Sequence, residues 1–403
     1  MLLVVTVNYY MPIQSIQLNT TYSIQIFDAI DKIGEEQWNA VNEKILFFQT
    51  FSFLKIIEKV QQTIAFRYVL VYKEQKIIAA LYTQRIHFPY KNLTHYSNEG
   101  NKGVKGVLKN YFSNKHTYLL NLGNVFFTGD KGIICTNEED ILPHVEQIFN
   151  SIKKTFKEHA PNAFLLSNVY KEEDVKCMDL CRNSFHPFVT EPDLFLQVRS
   201  HWITFNDYLN ALSSKYRIRA KKVFAVSQDL EVKNLSLEEI KNHKTDIARL
   251  YNNVVNHVAF NMASLNIDFF EAAKAEFGNN CMLLGYFKNT EMVGFACVFN
   301  VDVYTLHVHY IGLDYIINQQ QKLYNRMLLD FVRIGIEHKK QTIHFGRTAT
   351  EIKTTIGAYP VPLQAYMKMS NALMNAAIPY LLKRIKPPEY TIRNPFKENI
   401  FID

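Results

Sequence analysis

A weak internal repeat constrains the fold of this 403-residue chain more than any other feature. The segments SFLKIIEKVQQTIAFRYVLVYKEQKIIAALYTQ and DFFEAAKAEFGNNCMLLGYFKNTEMVGFACVFN share one plan: amphipathic helix, strand, charged turn, strand. Their turns align Lys73 with Lys288. A second pair, FNSIKKTFKEHAPNAFLLSN and LLDFVRIGIEHKKQTIHFGR, places apolar residues at three-to-four spacing ahead of an apolar strand and aligns His159 with His338. A chain that repeats helix, hairpin, further strand, helix and strand builds one sheet plan twice. Hairpins combined with a crossover helix predict an α/β (mixed α+β) class, with a mixed, largely antiparallel sheet flanked by helices in each half.

The length also exceeds what one ordinary core serves, so two domains are expected. Their seam falls in FHPFVTEPDLFLQVRS (185–200), where His186-Pro187 and Glu191-Pro192 disfavour helix. The expected domains are 1–190 and 191–403. The first carries a long polar loop, about 88–118, between its hairpin and its helix. In the second, WITFNDYLNALSSKYRIRAKKVF predicts one continuous basic helix over 205–227. Five cations, Lys215, Arg217, Arg219, Lys221 and Lys222, crowd it with Tyr216 and Phe224 between them. Such a helix could meet an anionic donor or acceptor, tRNA and lipid phosphate included. It could equally be a solvated face paired with Asp207 and Glu231.

Composition narrows the class. With 48% hydrophobic and 21% charged residues, the chain reads as a soluble globular protein. A net charge of +7 suits anionic ligands such as nucleotides, CoA or tRNA, and gives no reason to expect DNA. Five cysteines lack framework spacing, and Cys177 and Cys181 have no second pair at zinc spacing, so reduced thiols in the cytoplasm and no metal are expected. The N-terminus MLLVVTVNYYMP lacks a basic region and a cleavage site and is too short to span a bilayer, so it reads as a strand or an attached extension. The sequons at Asn19, Asn92 and Asn234 are then chance matches. Near the other end, NALMNAAIPYLLKRIKPP turns from apolar to basic; it predicts a packed terminal helix and leaves open a place at the periphery of the inner membrane.

The stretch from Tyr310 to Lys368 carries the chemistry. A strand precedes the polar loop IINQQQ, the helical LYNRMLLDFVRIGIEHKK, the strand TIHFGR, the polar TATEIKTTIGAYPVP and the strand LQAYMKM. In strand Val303–Ile311, strict alternation sets Thr305, His307 and His309 on one face and Tyr304, Leu306, Val308 and Tyr310 on the other. Two histidines on a face that would otherwise be apolar predict a polar cleft. A neutral imidazole suits the removal of a proton from an attacking amine. Past TIHF, Arg347 and Lys353 could bind phosphate or carboxylate, or steady charge on a carbonyl oxygen. The same turn also reads as an exposed helix start, with Thr348 as cap and Glu351 three residues on.

That order of elements, with FGR followed by Glu351, Lys353 and Gly357, resembles the FemAB-like branch of the GNAT superfamily of acyltransferases. The resemblance implies two tandem GNAT-like domains. It implies an enzyme joining an activated acyl or aminoacyl donor to an amine, with cell-envelope amines as acceptors. It places Lys353 at a site between the domains and makes Gly357 a turn residue. The expected catalytic residues are His307, His309, Lys353 and Tyr310; the expected substrate-binding residues are Arg347, Glu351, Tyr324, Arg217 and Arg219.

No glycine stands between Gly312 and Gly335, where acetyl-CoA enzymes of this superfamily cradle a pyrophosphate on backbone amides. No heptad stretch long enough for a coiled-coil arm, common in tRNA-dependent relatives, occurs in 200–403. No cofactor is required on this reading, and acyl-CoA and aminoacyl-tRNA remain the donor candidates. A CoA-thioester N-acyltransferase acting on a small amine, or a catalytically degenerate binding pair, are the alternative readings.

Overall fold

Residues 1–190 and 364–386 form one unit, and residues 191–363 and 387–403 form another. The computed structural model describes residues 11–41, 45–88, 117–171, 184–258, 262–383, 385 and 387–397. The expected contiguous second domain, 191–403, is thereby corrected, because 364–386 fold with the first unit. The N-terminal extension up to residue 10, loop residues 89–116, Cys177 and Cys181 lie outside the described residues.

In the first unit, β1 (Gln14–Gln17), β2 (Tyr22–Phe27), β3 (Ala65–Lys73), β4 (Lys76–His87) and β5 (Tyr118–Leu122) lie side by side, β6 (Ile133–Cys135) pairs with β4, and β7 (Ala163–Tyr170) follows β5. These pairings are antiparallel except β5 with β7, which is parallel. The chain crosses between that parallel pair through helix Val145–Lys154, which buries Ile148, Phe149 and Ile152 against Leu120, Leu122, Phe164 and Leu166. The helix ends before His159, which stands in the following turn with a φ of 55°.

The second unit repeats the order. Its strands run β9 (Leu230–Asn234), β10 (Cys281–Lys288), β11 (Glu291–Asn300), β12 (Thr305–Leu313), β13 (Thr342–His344) and then β8 (His186–Gln197), which belongs to this unit from Glu191 on. Again one of these pairings is parallel, β12 with β13, and the long helix Leu323–Glu337 crosses between them. The last strand, β14 (Tyr359–Met369), is shared: its residues up to Leu363 belong to the second unit, and from Gln364 to the first, where Tyr366 enters the core.

The repeated hairpins share even their irregularities. Lys73 faces Lys76 across a turn with Glu74 and Gln75 at positive φ, and Lys288 faces Glu291 across a turn with Asn289 at positive φ. Such tight turns match the strand twist. Each hairpin has a register shift at the residue before its turn lysine, Val71/Tyr72 and Tyr286/Phe287.

Two expectations fail for tertiary reasons. The helix over 205–227 is two helices, Phe205–Ala211 and Ser214–Val226. Between them Leu212 bridges Phe396, Ser213 N–H donates to Pro395 O, and Lys397 N–H donates to Ala211 O. The C-terminal segment thus takes backbone groups that a continuous helix would use itself. Strict alternation in β12 also breaks. Val308 pairs with Val298 and Ile311 with Ala296, so His309 and Tyr310 together oppose Cys297. This bulge turns both side chains to one face, with ring centroids 4.2 Å apart.

In the second unit, Leu306, Val308 and Ile311 pack with Leu323 and Met327 of the crossover helix. The other face of β12 meets helix Lys244–His257, where Leu250 presses on Gly312 and Tyr251 meets Tyr310 edge-on at 5.7 Å. Near the C-terminus, helix Ala372–Leu382 buries Ile378 and Leu382. Among the described residues no helix is long and apolar enough to cross a membrane.

Candidate functional site

The register of three strands assembles a row of side chains on the face of the second unit opposite the crossover helix. His307 of β12 stands beside His344 of β13, and His344 beside Phe195 of β8. The two imidazoles meet edge to face at 4.2 Å, and Phe195 stacks on His344 at 4.3 Å. Two residues along β8, on the same face, Asp193 brings Oδ2 to 3.3 Å from His344 Nε2. Asp193 is fully buried, and His307 and His344 nearly so. A carboxylate at that distance selects the tautomer and orientation of the imidazole beside it.

From His307 the row continues outward. His309 lies 5.4 Å from it between ring centroids, and Tyr310 adjoins His309 through the bulge. His309, Tyr310 and Arg347 are half-buried, so the row opens at this end. Burial, reinforced by the charges of His344, His309 and Lys353, holds His307 well below the usual histidine range, and it is neutral at pH 7. Burial pushes the Tyr310 phenol well above its ordinary value, with Arg347 partly opposing.

Lys353 is buried too, and its ammonium donates to Phe345 O at 2.8 Å and Arg347 O at 2.7 Å. Burial lowers it to about 7, although the Asp193 and Glu191 carboxylates act the other way. It fastens a turn of unusual conformation: Gly346, Thr348 and Ala349 all have positive φ. A β-branched residue there carries strain that surrounding bonds must hold. The expected capping box is corrected. Ala349 is the N-cap with no side-chain bond, and Glu351 instead accepts from Arg393 Nε at 3.1 Å on the surface. Gly357 turns at φ 96°, where a Cβ would strike the Phe396 ring.

The row therefore gathers His307, His309 and Tyr310, with Arg347 and Lys353 on the turn beyond β13. Tyr324 packs against the core cluster of the crossover helix, its phenol raised by burial. Arg217 and Arg219 lie on the surface helix Ser214–Val226. Neither they nor Glu351 join the row. Sequence reasoning passed over Asp193 and His344. Their one signal was a titratable residue inside an otherwise apolar strand, in EPDLFLQ and TIHF.

Backbone amides in the stretch before the crossover helix are bonded to side chains of the same stretch. Asp314 Oδ1 accepts from Ile316 N–H at 2.9 Å and Ile317 N–H at 3.0 Å, and Asn318 Oδ1 accepts from Tyr324 N–H at 2.8 Å. Three amides ahead of and at the start of the crossover helix are thus bonded within the chain, two of them to a carboxylate. Among the described residues no group of three or more His, Cys, Asp or Glu side chains is placed to hold a metal ion.

Residues 184–397 match the FemAB-like family, described as peptidoglycan biosynthesis/recognition. No curated protein matches the chain. Among solved structures, FemX superposes with a TM-score of 0.51 at 10% identity, covering 91% of this chain and 100% of that one. A tandem GNAT protein from the clavulanic acid biosynthesis pathway gives 0.48 at 7% identity, over 79% of this chain and 88% of its own. A conserved protein of unknown function from Bacteroides thetaiotaomicron VPI-5482 gives 0.45 at 12%, over 83% and 95%. At these identities the likeness to FemX is one of fold.

Proposed function

The chain belongs to the FemAB-like family, and on that footing we propose that its second unit transfers an activated acyl or aminoacyl group to an amine, forming an amide. The observation that carries the reading is the row Asp193, His344, His307, His309, buried at one end and open at the other. An amine attacks a carbonyl only as the free base, so a group within reach must take its proton. His309 stands at the open end and takes that role. His307, neutral, and His344, oriented by Asp193, stand behind it as positioning residues. The C–N bond forms as the bond from the carbonyl to the donor's oxygen or sulfur breaks, and the proton released by nitrogen neutralises the leaving group. Tyr310, held protonated, donates to the developing oxyanion, and Arg347 supplies positive charge for an anionic donor. Lys353 fixes the turn that aims Arg347.

The capped amides at Ile316, Ile317 and Tyr324 speak for a donor held other than by a CoA pyrophosphate at that loop. The family description favours a cell-wall peptide precursor as acceptor. The test is amide formation followed by mass spectrometry, with aminoacyl-tRNA and acyl-CoA supplied separately and a nucleotide-linked muropeptide as amine. Wild-type protein is expected to yield the adduct from aminoacyl-tRNA, and folded His309→Ala to lose it. Undiminished turnover in His309→Ala would remove the assignment, and an adduct from acyl-CoA alone would overturn the donor.

A further inference from the structure

Independently of the transfer site, we propose that helix Ser214–Val226 docks the protein on an anionic lipid surface. Between Ser213 and Gln228 the chain carries Lys215, Arg217, Arg219, Lys221 and Lys222 and no acidic residue. The carboxylates expected to pair with them are engaged elsewhere. Asp207 accepts from Thr204 N–H, and Glu231 pairs with Lys233. Among the described residues no ion pair includes any of the five cations.

The inner side of the helix is marked by the buried Ala220 and Val223. At 3.6 residues per turn Ile218 falls on the opposite side, and it is 66% exposed. Arg217 and Lys221 flank it on one side, and Lys215, Arg219 and Lys222 on the other. An apolar tip between two rows of cations suits a bilayer interface, where the side chain enters the acyl boundary and the cations meet headgroup phosphates. A nucleic acid would be served by an open aromatic face, but the ring of Tyr216 already lies under Lys215 at 5.7 Å and Arg219 at 5.5 Å.

The test is co-sedimentation of the full chain with vesicles of phosphatidylcholine alone and of equimolar phosphatidylglycerol and phosphatidylcholine, at low and raised salt. Binding is expected to the anionic vesicles only and to weaken with salt. Lys221→Glu with Lys222→Glu lowers it at least about tenfold. Ile218→Ser, which leaves the charge unchanged, lowers it about two- to fivefold. All these positions are on the outside of the helix, and circular dichroism checks that the variants fold. Absence of vesicle binding, or binding indifferent to both variants, overturns the proposal. Retention on a random-sequence RNA that responds to the charge reversals but not to Ile218→Ser, without vesicle binding, assigns the helix to nucleic acid instead.

Discussion

At the third pair of its parallel ladder, each unit holds different chemistry on the same framework. In the first unit Asn121 of β5 pairs with Leu165 of β7; in the second His307 of β12 pairs with His344 of β13. Asn121 is locked locally, donating to Gly123 O at 2.8 Å and accepting from Ser167 Oγ at 3.1 Å. Nearby, Asp130 accepts from Gln49 Nε2 at 2.6 Å, from Gly132 N–H at 2.7 Å and from the Tyr82 hydroxyl, a network that ties the loop after β5 to the sheet. Burial raises the Asp130 carboxyl and the Tyr82 phenol. The first unit thus fills the pair with an amide and a leucine, neither of which titrates, whereas the second fills it with imidazoles that can exchange protons. A duplicated fold can keep one copy as framework while the other carries the reactive groups, because the sheet fixes positions and not side chains.

The largest expected effect separates the two positions. His309→Ala lowers kcat for amide formation by about 100- to 10,000-fold. His307→Asn, which gives the second unit the side chain of the first, lowers it less but measurably. Asn121→Ala leaves kcat within a factor of two while costing about 1–3 kcal/mol in urea unfolding. Equal kinetic losses at Asn121 and His309 would break the contrast.

Next in size is a pH effect confined to the second unit. Burial lowers the Lys353 ammonium to about 7 in the folded protein, against 10.5 for an ordinary lysine. Between those values the unfolded chain binds more protons, so stability rises with pH, by at most about 1.4 kcal/mol per unit. Lys353→Met should flatten that slope between pH 7.5 and 9.5, as read from urea midpoints. An unchanged slope would show that the ammonium is not desolvated as described.

In the first unit, Tyr82→Phe removes one donor from Asp130 and leaves the other two. It should cost about 1–3 kcal/mol of stability and shift no pH profile of turnover. The smallest effect is expected at Glu351→Ala, which breaks an exposed pair with Arg393. Under about 1 kcal/mol is lost and kcat is unchanged; a tenfold loss would return Glu351 to the site.

Much of the fold was legible because periodicity and turn chemistry are local. The hairpin lysines Lys73 and Lys288 and the crossover helices follow from patterns along the chain. His307 and His309 were legible as polar residues in a strand. His344 and Asp193 were not, because each is a lone titratable residue in an apolar run, and only strand register sets them side by side. Tyr310 was placed on the wrong face because a bulge changes the side-chain count without any mark in the sequence. Lys353 was expected among the catalytic residues, with an exposed helix start as the other reading, and only the fold of the turn buries it on two carbonyls.

The sequence by itself determined that this chain builds one mixed sheet plan twice and which strands carry histidine, since both follow from spacing between near neighbours. Tertiary structure alone decided that residues 364–386 return to the first unit, that Ser213 interrupts the basic helix, and that four titratable groups from three strands share a face. Each depends on hydrogen bonds between segments far apart in sequence, whose formation no local pattern encodes.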